Sequence, residues 1–140
     1  MASHKVYMTR RMTFSACHRL HSIYLPDGIN QELYGKCNHP NGHGHNYTVF
    51  VTLFGEVDPQ TGMVMNMTDL KKYMDEAIMK EMDHRNLDKD VEYFQDKPST
   101  TENLTIYIWK RLKEVMEQPE LLYEVEVHET ENNIVKYRGE

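Results

Sequence analysis

Only two cysteines, Cys17 and Cys37, occur among 140 residues, which excludes a disulfide-stapled framework and predicts free thiols in a reducing compartment. Basic residues are outnumbered, 16 Lys and Arg against 22 Asp and Glu for a net charge of −6, so the broad basic face that nucleic acid requires is not expected. No apolar run approaches the length of about 20 residues that spans a bilayer, and no N-terminal stretch resembles a secretory signal. The expectation is a cytoplasmic protein with neither nucleic acid nor membrane as a partner. Internal repeats, low-complexity segments and Pro/Gly/Ser linkers are missing too, so residues 1–140 read as one domain of ordinary size.

Histidine is what the chain has in excess. There are eight, five of them between residues 18 and 45, three of these within "GKCNHPNGHGHNY" at 35–47. From Lys5 to His18 the chain alternates, with Val6, Met8, Met12, Phe14 and Ala16 on one parity, interrupted by Arg10; this predicts a half-buried strand. Residues 19–42 follow neither period and read as a long loop with one helical turn. Tyr47, Val49, Val51 and Leu53 share a face of a second strand, and "DPQTG" at 58–62 reads as a turn onto a third, "MVMNM". Leu70, Tyr73, Met74, Ala77, Ile78 and Met82 recur at helical spacing after a cap at Asn66 or Thr68. A second helix opens with a Ser99–Glu102 capping box and runs through Leu104, Ile108, Leu112 and Val115. The C-terminal stretch alternates around "ENN", a final hairpin. This order predicts an α+β fold: an antiparallel sheet with two helices on one face.

His43 and His45 are two apart at a strand entry, so both imidazoles share the Tyr47, Val49 and Val51 face. His18 has the buried parity at the end of the first strand. Three such histidines suit Zn²⁺ with a fourth position open, the arrangement of catalytic rather than structural sites. Against this stands the ordinary role of a strand-end histidine as a hydrogen-bonded rim residue, and an HxH pair alone is weak. Cys37 neighbours Lys36, a cation that favours thiolate; the plain alternative is a small buried filler. Asp83 and His84 follow the first long helix, where a solvated helix end is the plainer reading. Glu129 closes the face of Tyr123, Val125 and Val127, either as a solvated strand end or as an acceptor for two parallel N–H groups of a planar heterocycle.

"FSACHRL", "GKCNHPNGHGHNY", "TGMVMNMTDLK", "MDHRNLD", "PSTTEN" and "HETENNIVKY", in this order, resemble the family of pyruvoyl- and carboxytetrahydropterin synthases. The resemblance implies a tunnelling fold, a four-stranded antiparallel sheet with two helices on one face, whose sheets join into an oligomeric barrel, a homohexamer of two trimers with sites between subunits. It implies His18, His43 and His45 as ligands of one Zn²⁺ per subunit, Cys37 as the proton-transferring thiol with Asp83 and His84 as its relay, and Glu129, Thr100 and Thr101 around a pterin. The implied reaction turns 7,8-dihydroneopterin triphosphate into 6-pyruvoyl-5,6,7,8-tetrahydropterin, with release of triphosphate, in tetrahydrobiopterin biosynthesis; Mg²⁺ accompanying the triphosphate is an option. Two alternatives are 6-carboxytetrahydropterin synthesis for queuosine and a non-catalytic zinc-stabilised module. Arg10, Arg11, Arg19 and Lys36 are candidates for the triphosphate, none singled out. His39 and Cys17 depart from the usual Asn and Ser, and "RRMT" resembles a kinase site at Thr13, although strand parity favours a plain exposed threonine there.

Overall fold

The computed structural model describes residues 3–140. Strand β1, Lys5–His18, follows the alternation from Met8 onward: Met8 and Met12 are half-buried and Phe14, Ala16 and His18 buried, while Thr9, Arg11, Thr13 and Cys17 face out; Val6, on the apolar parity, is exposed. The chain then forms helix α1, Asp27–Tyr34, and a 3-10 turn, Gly35–Asn38, before β2, His43–Glu56. Helix α1 is longer than the single turn predicted. Its only buried residue is Asn30, whose Oδ1 accepts from Ser22 N (2.7 Å) and whose Nδ2 donates to Ser22 O (3.0 Å) and Leu25 O (3.1 Å). A helix seated by one amide leaves no apolar period to detect.

Strands β1 and β2 pair antiparallel over their full length, from Lys5 opposite Glu56 to His18 opposite His43. Residues 63–66 form no strand: the Met63–Met67 stretch runs as irregular chain into α2, Met67–Met74, capped by Asn66 Oδ1 accepting from Thr68 N at 2.9 Å. A π-helical turn, Asp75–Met79, and α3, Lys80–Met82, continue this helix. Together they bury Leu70, Met74, Ala77, Ile78 and Met82. A two-residue strand β3, Arg85–Asn86, then pairs parallel with Ala16 and Cys17, and α4, Leu87–Asp90, follows.

Helix α5, Thr101–Val115, buries Leu104, Ile108 and Leu112 as its spacing requires, but its cap is Thr100, one residue beyond the expected Ser99, and accepts from Asn103 N at 3.2 Å. Strands β4, Leu122–His128, and β5, Ile134–Tyr137, form the closing hairpin. The sheet therefore has five strands, not four, ordered β3-β1-β2-β4-β5 and antiparallel except at β3. A register shift at Thr52/Leu53 turns Tyr123 away from Val125 and Val127, onto the Tyr7 and Phe54 rings of the other sheet face.

The core is the inner faces of β1, β2 and β4 packed against α2, α3 and α5. The other sheet face is left without a helix. Among the described residues no helix is long and apolar enough to cross a membrane.

Candidate active site

Register builds the site. His18 lies directly opposite His43, and His45 opposite Ala16, so three inward imidazoles meet where β1 ends and β2 begins. Their ring centroids are 4.7 to 5.3 Å apart, and one nitrogen from each lies within 4.8 Å of the others. His18 Nδ1 is 2.8 Å from the Ser99 carbonyl oxygen, to which it donates, so its Nε2 presents a lone pair. That Nε2 stands 3.2 Å from His43 Nε2. An edge of about 3.3 Å is what two nitrogens bound tetrahedrally to Zn²⁺ at about 2.05 Å would span. His45 Nε2 is buried with no hydrogen-bond partner; its 3.9 Å separation from Glu129 is too long for one. A facing pair at metal-ligand spacing and an orphaned third nitrogen fit a three-nitrogen zinc site.

Burial holds His18 below the ordinary imidazole value of 6.5, reinforced by His43 and His45. Burial, then His45, also lowers His43, with Glu129 and Asp88 pulling the other way. Both imidazoles are therefore neutral, as ligation requires, over a wider range than exposed ones. Without metal, the unfolded chain takes up protons on these residues before the folded chain does. Stability is therefore complete above pH 6.5 and is lost as pH falls through that unfolded value toward the lower folded ones. The melting temperature of chelator-treated protein is expected to drop as pH falls below 6.5, and to drop less in His18→Gln. A flat or rising profile would contradict the assignment.

Thr101, in the first turn of α5, donates its hydroxyl to Glu129 Oε2 at 2.5 Å. The Glu129 backbone is fixed by its N–H donating to Asn133 O at 3.1 Å. With one oxygen engaged, the carboxylate borders a cavity of about 530 Å³ that Leu20, Thr100 and Thr101 also line. The stretch from Ser99 to Thr101 thus serves three ends: a histidine's tautomer, a helix cap and a carboxylate's orientation. Behind the histidines, Tyr47 stacks on Phe14. Burial, then the Glu129 and Asp88 carboxylates, keeps its phenol un-ionised.

Cys37 is half-buried in the 3-10 turn, held at its carbonyl by Leu20 N at 2.9 Å. Asp83 and His84 do form a pair, Oδ2 to Nδ1 at 2.8 Å, although neighbours in sequence need not. Two bonds to β1 force it. Ser15 N donates to Asp83 Oδ1 at 3.0 Å, the main cause of that carboxyl's lowered pKa, and His84 N donates to Ser15 O at 2.6 Å. His84 takes φ 63°, the one non-glycine positive φ among the described residues, and its side chain is 82% exposed. No hydrogen bond within the described chain joins this pair to Cys37.

The structure therefore gathers the three histidines with Glu129 and Thr101 and places Cys37 on the neighbouring turn, while Asp83 and His84 stand at the β3 edge. Sequence reasoning missed Ser99, taken for a cap, and Asp88, whose Oδ2 accepts from Arg19 N at 2.7 Å. Neither carries a local signal, since their partners lie 81 and 69 residues away.

The family model for 6-pyruvoyl tetrahydropterin synthase matches residues 7–140. A human protein named 6-pyruvoyl tetrahydrobiopterin synthase is 61% identical over 133 residues, covering 95% of this chain and 91% of that protein. One of the same name from Drosophila melanogaster is 59% identical, over 95% of this chain and 79% of its own length. The solved structure of Caenorhabditis elegans 6-pyruvoyl tetrahydropterin synthase superposes with a TM-score of 0.97 at 51% identity, covering both chains completely. On its sequence, fold and site together, the chain belongs to the 6-pyruvoyl tetrahydropterin synthase family.

Proposed function

We propose that the protein is a zinc-dependent lyase that converts 7,8-dihydroneopterin triphosphate to 6-pyruvoyl-5,6,7,8-tetrahydropterin and triphosphate. The observation that carries this is the adjacency of a three-histidine cluster to a carboxylate oriented by Thr101. Glu129, with one oxygen held by Thr101 and the other free, accepts two parallel N–H groups of the pterin ring, and Thr100 and Thr101 border the ring. His18, His43 and His45 would hold Zn²⁺, which when bound would supply a Lewis acid beside the carbinol and C–H groups of the substrate side chain. Cys37 removes and returns those protons as the side chain is oxidised, the ring reduced and triphosphate eliminated. Asp83 orients His84, and that pair relays protons to and from the thiol. Mg²⁺ accompanies the triphosphate, and the enzyme works in the cytoplasm.

We further read the assembly as a hexamer of two trimers. The exposed Asp83–His84 pair and the uncovered sheet face support it: closing five-stranded sheets edge to edge would remove both free edges and bring one subunit's pair to the next subunit's Cys37.

The test is incubation with dihydroneopterin triphosphate and identification of the products by mass. One pyruvoyl product and one triphosphate per turnover are expected. A carboxy product with acetaldehyde would move the protein to the queuosine branch; no turnover with bound metal would leave a zinc-stabilised module.

A further inference from the structure

Leaving β1, the chain sends neighbouring side chains to different cavities. Leu20 lines the cavity at Glu129, whereas Arg19 and His21 line a separate cleft of about 260 Å³ that shares no residue with it. This cleft adjoins the histidine cluster through Gly42, which precedes His43, and Asp88, whose Oδ2 accepts from the N–H of Arg19, the residue after His18.

Its donors are organised by one buried amide. Arg19 donates from Nε to Asn38 O at 2.7 Å and from Nη2 to Asn38 Oδ1 at 3.4 Å, which leaves the remaining guanidinium N–H groups available. Asn38 Nδ2 donates to Leu20 O at 2.7 Å and lies 3.0 Å from His21 Nδ1. That ring nitrogen therefore accepts, and the His21 proton resides on Nε2 as a donor. Exposed Lys89 supplies an ammonium at the rim. Asp88 is the one carboxylate in the lining, and one of its oxygens is taken by Arg19 N. Two cations and an oriented N–H against one engaged carboxylate describe an anion site.

We infer that this cleft binds the polyphosphate chain of the substrate and of the released product. The inference rests on the proposed reaction. A substrate with its ring at Glu129 and its side chain at the histidines must carry its phosphates past the cluster, and this is the cationic cavity that borders it. Of the four basic candidates that the sequence offers, Arg19 is the one that lines it; His21 and Lys89 join it.

The experiment measures binding of inorganic triphosphate and of unphosphorylated dihydroneopterin to the metal-loaded, full-length protein, alongside KM for the phosphorylated substrate. Lys89→Ala is expected to weaken triphosphate about tenfold and Lys89→Glu further, raising KM with little change in kcat, while dihydroneopterin binds as before. Lys97→Ala, an exposed lysine paired with Asp96 outside the cleft, serves as the control and should change nothing. His21→Ala is expected to weaken triphosphate less than Lys89→Glu does. Wild-type affinity for triphosphate in both Lys89 variants, with normal turnover, would overturn the inference and leave the proposed reaction standing. Lys89-dependent triphosphate binding without formation of the pyruvoyl product would overturn the reaction and leave the anion cleft.

Discussion

Cys37→Ala is expected to lower turnover by about a thousandfold or more while metal content stays at the wild-type level. Loss of a positioned acid–base group typically costs 10²- to 10⁴-fold, and here the same thiol is asked to serve several proton transfers. The metal should remain, because the nitrogens at ligand spacing come from His18, His43 and His45, and Cys37 is not among them. The fold should remain as well: the thiol is half-buried, and its turn is held by backbone bonds that alanine keeps, Leu20 N to Cys37 O and His39 N to Lys36 O. His45→Ala separates the two roles, since removing that imidazole should lose both metal and activity. Cys17→Ala, an exposed residue on the open sheet face, should lose neither. Metal analysis by mass spectrometry beside a product assay reads all three. Full activity in Cys37→Ala would refute the assignment of the thiol, and loss of metal in that variant would make it a ligand instead.

Much of this site could be read before the fold was seen, because two of its parts follow strand period. Alternation along Lys5–His18 put His18 on the buried parity, and the two-residue spacing of His43 and His45 put them on the face of Tyr47 and Val49. What parity does not supply is register, and register is what places His18 opposite His43. The helices were legible in their buried faces, from Leu70 to Met82 and from Leu104 to Leu112, since a 3.6-residue period records packing. Elements built on polar bonds were not. Helix α1 is seated on Asn30, the two-residue β3 carries no pattern, and the Met63–Met67 stretch looks like a strand because methionines alternate there without a ladder to join. The misplaced cap has a tertiary cause: Ser99 turns inward to His18, at 3.2 Å from Oγ to Nδ1, leaving Thr100 to accept from Asn103 N. The roles of Cys37, Asp83 and His84 came from resemblance, as nothing in local spacing distinguishes a working thiol from a filler.

Mixing two dead variants should restore about a quarter of wild-type activity, if the relay and the thiol meet across a subunit boundary as proposed. The sheet order places β3 and β5 on opposite edges. The Asp83–His84 pair immediately precedes β3, while Glu129 sits between β4 and β5, so one chain holds its proposed relay at one edge and its proposed pterin anchor toward the other. His84 alone is expected to be as severely affected as the thiol, so Cys37→Ala and His84→Ala homomers should each be nearly inactive. In a ring reassembled from equal amounts of both, a site works only when its thiol comes from a His84→Ala chain and its relay from a Cys37→Ala chain. Each condition holds for half of the chains, so about one site in four is intact. Co-expression with two affinity tags, purification through both, and a product assay measure the recovery. A relay acting on the thiol of its own chain predicts none at all, because every chain would then carry one broken half of its own site.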